Sequence, residues 1–289
     1  MDNQILTLDL ESWTVARPET RWIAALESGK VLYFPRLAFP LSRQEEALLQ
    51  PELLDSRARN ISLDAQGHLK GVAGNDAVQA AIKAMMGRFA NGARSLVETA
   101  FPGYAPHLRA APTSLRPTQV STRRQSVRAD DRRLHVDAFP SRPNGGERIL
   151  RVFANVNPKG EARVWRVGEP FVDAARHFLP RAKKYSPWQA KLLHRLGITK
   201  SLRTEYDHLM LQLHDAMKAD EAYQRDARQV RAVFPSGSCW VCFSDQTLHA
   251  AMSGQHMLEQ TFHLPVANQY NPGASPLAIL GRLAGHPLT

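Results

Sequence analysis

Leu134-His135-Val136-Asp137 is the stretch that decides the fold, because it places two metal-ligating side chains in a run of β-type residues. Side chains alternate between faces along a strand, so His135 and Asp137 point to the same side and form a chelating pair. A third ligand must come from elsewhere, and His249 follows an apolar strand 249 − 137 = 112 residues later. Two imidazoles and one carboxylate leave coordination positions open, as in non-haem iron(II) oxygenases. The other interpretation of the pair is two polar residues on a solvated loop.

Further β-type runs surround this stretch, and a helical pattern interrupts them. The runs cover residues 119–128, 134–137, 149–157 and 163–167, and then 229–234, 238–243 and 257–264. Between the two groups, residues 170–228 have helical spacing of apolar side chains. This order predicts an α+β protein with a double-stranded β-helix (jelly-roll, cupin-like) core, flanking helices and a helical insert between the metal-binding strands.

The chain contains no repeat and no flexible linker, so we expect residues 1–289 to form a single domain. Residues 1–113 are expected to be mainly helical, with one long helix from Asp76 to Thr99. The jelly-roll core is expected over residues 114–169 and 229–264, with the helical insert at 170–228 and a C-terminal tail at 265–289.

A 2-oxoglutarate co-substrate would need a buried cation for its distal carboxylate, and the forked guanidinium of arginine suits it best. Many enzymes of this class place Arg or Lys on the strand after the second histidine, but residues 258–265 contain neither. The strand after the H-x-D pair holds Arg148 and Arg151, and Arg151 lies among apolar residues where a charge needs a partner. We expect Arg151 to anchor 2-oxoglutarate, with Arg148 as the reserve. A structural salt bridge to a core acid is the alternative role of Arg151.

Composition indicates an acidic partner. The chain has 37 Lys and Arg against 27 Asp and Glu, a formal net charge of +10, which favours nucleic acid, anionic lipid or an acidic substrate. No signal peptide or spanning helix is predicted, so we expect a cytoplasmic protein that is at most peripheral to a membrane. The two cysteines, Cys239 and Cys242, lie in an apolar strand and are expected to be packed thiols rather than zinc ligands.

Two basic clusters have two interpretations each. Residues 176–203 contain eight Lys or Arg and no Asp or Glu; an amphipathic basic helix there could dock on an anionic membrane or pack its apolar face on the sheet. The second cluster could bind a substrate anion or form local ion pairs with Asp130 and Asp131. Its members are Arg123, Arg124, Arg128, Arg132 and Arg133.

Several motifs along almost the whole chain resemble the Kdo 3-hydroxylase family. The most specific of them are His-Val-Asp-Ala-Phe-Pro-Ser-Arg-Pro from 135, Arg-Ile-Leu-Arg-Val-Phe-Ala-Asn-Val-Asn from 148, Val-Trp-Arg-Val-Gly-Glu-Pro-Phe from 164 and Trp-Val-Cys-Phe-Ser-Asp-Gln from 240. The resemblance implies an iron(II) and 2-oxoglutarate dioxygenase whose metal ligands are His135, Asp137 and His249.

The implied reaction uses O2 and 2-oxoglutarate to hydroxylate C3 of 3-deoxy-D-manno-oct-2-ulosonic acid (Kdo) in Kdo-lipid A of the lipopolysaccharide inner core. It forms the sugar Ko and releases succinate and CO2. The implied partners are a Kdo-lipid A glycolipid and the anionic inner face of the inner membrane, where a peripheral enzyme would meet it.

Two other functions fit parts of the sequence. A related dioxygenase could act on a protein, and a metal-free jelly-roll module could bind acidic glycolipid through charge alone. The chain lacks RNA-recognition aromatic strands, zinc-finger spacing and a Gly-rich phosphate loop, which disfavours nucleic acid as the partner.

Overall fold

A computed structural model describes residues 4–122 and 125–288. Its strands are β1 (Ile5–Thr7), β2 (Val31–Phe34), β3 (Ile61–Leu63), β4 (Leu69–Lys70), β5 (Arg109–Arg116), β6 (Arg148–Asn155), β7 (Arg163–Gly168), β8 (Gln229–Phe234), β9 (Cys239–Phe243), β10 (His249–Ser253) and β11 (Met257–Leu264). Its α-helices are α1 (Thr20–Glu27), α2 (Arg43–Glu46), α3 (Asp76–Ala100), α4 (Phe171–Phe178), α5 (Pro187–Arg195), α6 (Glu205–Ala219), α7 (Glu221–Asp226) and α8 (Pro276–Ala284).

The strands form two sheets. The large sheet has the order β1-β2-β9-β6-β11-β5-β3-β4, and the small sheet has the order β10-β7-β8. Within the large sheet, β11 pairs antiparallel with both β5 and β6, and β6 pairs antiparallel with β9. Sequence neighbours such as β5 and β6 are therefore separated in space, as strand order in a jelly roll requires.

Side chains alternate between the two faces of β6, and each face packs against a different layer of the protein. Leu150, Val152 and Ala154 pack with α1 and α3 in one hydrophobic cluster, whereas Phe153 packs with Trp165 of the small sheet in another. One face of the large sheet is thus covered by helices and the other by the small sheet. This confirms the predicted α+β jelly-roll core.

The helical insert also takes the predicted place, with α4 to α7 between β7 and β8. α4, α6 and α8 form a third apolar cluster that includes Val136 and Leu248, which neighbour the proposed metal ligands. The insert therefore supports the metal-binding segments from one side.

Four sequence predictions about secondary structure differ from the structure. The first 113 residues, expected to be mainly helical, also hold β1 to β4 and most of β5, and the expected C-terminal tail contains α8. No strand occupies the described part of 119–128, where Val120 N donates both to Gly254 O and to the Gln119 side chain, which also accepts from Gly254 N. Residues 134–137 form a single β-bridge rather than a strand.

Two predictions about individual elements hold. The long helix predicted from Asp76 to Thr99 is α3, whose N-terminus is capped by the Asn75 side chain accepting from Val78 N at 3.0 Å. Cys239 and Cys242 are free thiols that are fully buried on β9. Within residues 4–122 and 125–288, no helix is both long and apolar enough to cross a bilayer.

Candidate metal centre

The three predicted metal ligands come together at one end of the two sheets. His135 and His249 exchange two backbone hydrogen bonds, with N–O distances of 3.1 and 2.9 Å, and Asp137 N donates to Ser244 O at 2.8 Å. The potential ligand atoms of His135, Asp137 and His249 all lie within 4.8 Å of one another. The β-bridge joins His135 and His249, which are 249 − 135 = 114 positions apart, and so brings the three side chains into a single chelating group.

Hydrogen bonds fix which nitrogen of each imidazole can bind a metal. The Nδ1 of His135 donates to Arg133 O at 2.7 Å, and the Nδ1 of His249 donates to Thr247 O at 2.8 Å. Because a carbonyl oxygen only accepts, each Nδ1 carries the proton and each Nε2 keeps a free lone pair. Such outer hydrogen bonds orient metal-binding histidines in proteins generally.

The electrostatics favour the protonation states that a cation needs. Burial lowers the pKa of His135 well below its ordinary value and also lowers the pKa of His249. Burial works to raise the pKa of Asp137, but Arg151 and the two histidines outweigh it and hold the pKa below its usual range. Two neutral imidazoles and one carboxylate are thus present at neutral pH, which is a donor set that suits Fe(II).

These ligands face a cavity of about 210 Å³ between the two sheets. The rest of its lining is rich in arginine and aromatic side chains: Arg59, Asn60, Arg116, Asp131, Phe139, Arg151, Phe153, Arg163, Trp165, Ala251, Met257 and Glu259. The three side chains therefore face a space that can hold a small anionic molecule.

Arg151, the residue expected to anchor 2-oxoglutarate, lies beside the three side chains. Its Nη2 is 3.1 Å from Asp137 Oδ2 and its Nη1 is 3.0 Å from Glu259 Oε1. Burial works to lower the pKa of Arg151, but these two carboxylates outweigh it and raise the pKa. The Nε of Arg151 is buried and has no hydrogen-bond partner within the described chain.

Arg148 does not share this position, which corrects its assignment as the reserve anchor. Residues three apart on a strand point to opposite faces, so Arg148 faces the helix-covered side of the large sheet. There its Nε donates to Asp245 at 2.7 Å, and its guanidinium lies 3.8 Å above the Phe243 ring. The side chain is fully buried and does not line the cavity.

The model of the 3-deoxy-D-manno-oct-2-ulosonic acid (Kdo) hydroxylase family matches residues 10–287 of the chain. The chain belongs to this family. No curated protein sequence matches the chain.

Solved structures of the Kdo hydroxylase KdoO, a non-haem Fe(II) 2-oxoglutarate-dependent dioxygenase, are similar to this family member over almost their whole length. A complex with cobalt(II) has a TM-score of 0.96 at 45% identity, and the match covers 99% of this chain and 97% of that one. The TM-score is 0.95 for a complex with 2-oxoglutarate and Fe(III) and 0.94 for a complex with succinate and Fe(III), at the same identity and coverage.

In this Kdo hydroxylase chain, sequence reasoning missed a charged network behind Arg151. Glu259 Oε2 lies 2.9 Å from Arg116 Nη2, and Arg116 Nη1 lies 3.7 Å from Asp131 Oδ2. Glu259 is buried on β11, where an acid needs a partner. The sequence did contain a signal for this network: Glu259 is the only Asp, Glu, Lys or Arg in the apolar Met257–Leu264 stretch, so a basic partner was to be expected.

Sequence reasoning also missed Trp165. Its ring stacks on the imidazole of His249 with a centroid distance of 5.0 Å and an interplanar angle of 24°. Trp165 lines the cavity, and its Nε1 is buried with no hydrogen-bond partner within the described residues. The stacked indole therefore holds the imidazole of His249 in orientation.

The second basic cluster forms ion pairs where the structure describes it. Arg132 pairs with Asp130 at 2.9 Å, Arg133 with Glu221 at 2.6 Å and Arg128 with Asp215 at 3.2 Å. Arg123 and Arg124 lie outside the described residues. For Arg128, Arg132 and Arg133, the structure therefore shows ion pairs within the protein.

Proposed function

We propose that this chain is an iron(II)- and 2-oxoglutarate-dependent dioxygenase that hydroxylates Kdo. The observation that carries the proposal is the group of His135, Asp137 and His249 around one buried cavity, with Arg151 paired to Asp137. The family match and the relatives with 2-oxoglutarate and succinate support the same reaction class.

Each side chain in the cavity has a proposed task. His135 and His249 would bind iron(II) through Nε2 and Asp137 through a carboxylate oxygen, while Arg151 would hold the distal carboxylate of 2-oxoglutarate. When bound, the iron and co-substrate supply the oxidation, in which one O2 and one 2-oxoglutarate give succinate, CO2 and the hydroxylated sugar. The remaining residues position the sugar and exclude competing reductants.

For the substrate, we propose Kdo within Kdo-lipid A, with hydroxylation at C3 to form Ko. Four arginines line the cavity: Arg59, Arg116, Arg151 and Arg163. These arginines outnumber the three carboxylates of the lining, Asp131, Asp137 and Glu259, so a sugar that carries a carboxylate suits the cavity. The description of the family supports Kdo as the substrate. The choice of C3 and of lipid A as the carrier of the sugar is our proposal.

For the location, we propose a cytoplasmic enzyme that is peripheral on the anionic inner face of the inner membrane. The formal net charge of +10 and the acid-free segment 176–203 support attraction to anionic lipid. We propose no nucleic-acid partner.

The first test is an anaerobic titration with Fe(II) and 2-oxoglutarate that follows the weak visible metal-to-ligand charge-transfer band. We expect the band in the wild type and its loss in His135→Ala. His68→Ala is the matched control, because His68 is an exposed histidine paired with Asp64 away from the cavity, and its band is expected to match the wild type.

The same preparation then receives O2 and Kdo-lipid A, and mass spectrometry follows the gain of one oxygen atom on the sugar. No band in the wild type would overturn the oxygenase and favour the metal-free binding module. A band with succinate formation, but no oxygen on Kdo, would favour a different substrate such as a protein.

A further inference from the structure

Helix α5 and the residues around it expose an apolar surface. Among the described residues, the large hydrophobic side chains that are most exposed include Trp188 at 72%, Leu196 at 62% and Ile198 at 53% of their full area. Leu192 and Leu202 are also exposed, so five such side chains lie within 15 residues. An exposed apolar cluster of this kind marks an interaction site rather than ordinary surface. We call residues 183–203 the α5 platform.

The helix presents this surface outward. Trp188, Leu192 and Leu196 are four residues apart and therefore lie on one stripe of the helix, and Ala190 is the only residue of α5 that is buried. The apolar stripe thus faces solvent rather than the sheet, in contrast to an ordinary surface helix.

Charge complementarity selects the partner. The exposed basic residues of the platform are Lys183, Lys184, Lys191, Arg195 and Lys200. None of them is ion-paired within the part of the chain that the structure describes, and no acidic residue occurs from 176 to 203. A Trp and aliphatic stripe flanked by unpaired lysines is the composition of a helix that lies in the interface of an anionic bilayer.

The platform is joined to the mouth of the metal cavity. Lys200 N donates to Ser141 O at 2.9 Å, and the Ser201 hydroxyl donates to Pro143 O at 2.9 Å. Arg203 Nη2 donates to Pro140 O at 2.6 Å. These carbonyls belong to the loop after Asp137, and the same loop contributes Phe139 to the cavity lining.

We propose that the α5 platform docks on an anionic lipid bilayer, with Trp188, Leu196 and Ile198 among the headgroups and the lysines against lipid phosphates. The hydrogen-bonded loop then turns the cavity mouth toward the membrane surface. Membrane docking depends on the proposed function only for the identity of the lipid-borne substrate.

The test is sedimentation of the full chain with vesicles of phosphatidylglycerol or of phosphatidylcholine. We expect binding to phosphatidylglycerol only, together with a blue shift of tryptophan emission. Trp188→Ser combined with Leu196→Ser is expected to weaken binding about tenfold or more, and Lys191→Glu combined with Lys200→Glu by a similar factor. The matched control is Val233→Ser, an exposed apolar residue on β8, which should bind like the wild type.

Three results would overturn the docking surface. They are no vesicle binding by the wild type, equal binding to neutral vesicles, and unchanged binding by the Trp188 and Leu196 double variant. A dimer in analytical ultracentrifugation that this variant dissociates would assign the platform to a second copy instead. The charge-transfer band and turnover of a water-soluble, deacylated Kdo substrate report on the proposed function alone, so its failure is distinguishable from failure of docking.

Discussion

Arg151 on β6 and Glu259 on the adjacent β11 face the same cavity, with 3.0 Å between Nη1 and Oε1. β11 is the strand on which many 2-oxoglutarate oxygenases carry the basic anchor, and here it carries an acid. Glu259 also holds Arg116 at 2.9 Å. The proposed anchor, Arg151, therefore lies on the neighbouring strand, and the acid on β11 holds it in place.

Glu259→Gln should destabilise the protein. The change leaves the largely buried guanidinium of Arg151 and the partly exposed one of Arg116 without their shared carboxylate, so we expect the free energy of unfolding to fall by about 3 kcal/mol at pH 7. Urea unfolding measures this value. Glu98→Gln is the control, because Glu98 forms a more exposed helix pair with Arg94 and should cost about 0.5 kcal/mol or less.

The effect of Glu259→Gln should depend on pH. Burial works to raise the pKa of Glu259, but Arg116 and Arg151 outweigh it and lower the pKa. A carboxyl with a lowered folded-state pKa stabilises fully above its unfolded pKa of about 4.3 and loses that contribution as pH falls. The difference between wild type and variant should shrink below about pH 4.3, and a constant difference from neutral to acidic pH would contradict this.

Arg151→Lys should weaken 2-oxoglutarate binding about tenfold or more, because lysine keeps the charge but loses the fork that binds a carboxylate. The anaerobic charge-transfer titration gives the dissociation constant. Arg148→Lys is the matched variant: it lies on the other face of β6, so the dissociation constant should stay within about twofold while the buried pair with Asp245 weakens. The opposite ranking of the two variants would place the anchor at Arg148.

Gln224→Ala should loosen the segment that carries His135. The Gln224 amide donates to Leu134 O at 3.0 Å and accepts from Leu134 N at 2.7 Å. Loss of these buried bonds should lower the free energy of unfolding by about 1 to 3 kcal/mol and the iron(II) affinity about tenfold or more. Metal competition against a fluorescent chelator measures the affinity.

Gln79→Ala is the control for Gln224→Ala, since the Gln79 amide bonds only Gly74 O at the start of α3. It should leave iron(II) affinity unchanged. Equal metal affinity in both variants would show that Gln224 supports the fold but does not position His135.

Gly168→Ala should destabilise the region behind the metal site. A Cβ at Gly168 would lie 2.8 Å from Leu248 Cβ and 3.6 Å from Leu134 Cδ2, and each leucine directly precedes a proposed metal ligand. We expect a loss of about 1 to 3 kcal/mol in the free energy of unfolding. Gly87→Ala, in the open interior of α3, should instead stabilise by up to about 1 kcal/mol, and thermal unfolding compares the two.

Local patterns in the sequence predicted much of this fold. Helical spacing located α3 and the insert, and the two-residue period placed His135 and Asp137 together. The two-residue period does not predict secondary structure where a side chain takes the place of a strand partner. Leu134 N, for example, donates to the Gln224 side chain, 90 positions away. β1 and β4 have only three and two residues, too few for a period to appear.

The choice between Arg148 and Arg151 shows a further limit. The two-residue period predicts that they face opposite sides, but the sequence does not say which side is the cavity. That depends on the helices that cover one face of the large sheet and on the small sheet that covers the other. Likewise, the partner of Glu259 comes from β5, whose position beside β11 is a long-range pairing.

Asp245 accepts from both the Arg148 side chain at 2.7 Å and the Ile149 backbone at 3.1 Å. A slip of β6 by one residue would break both bonds and would turn Arg151 toward α3, exchanging every inward side chain for an outward one. Asp245 therefore fixes the register of β6. The position of Arg151, the proposed co-substrate anchor, is therefore set by contacts on the opposite face of the sheet from the cavity.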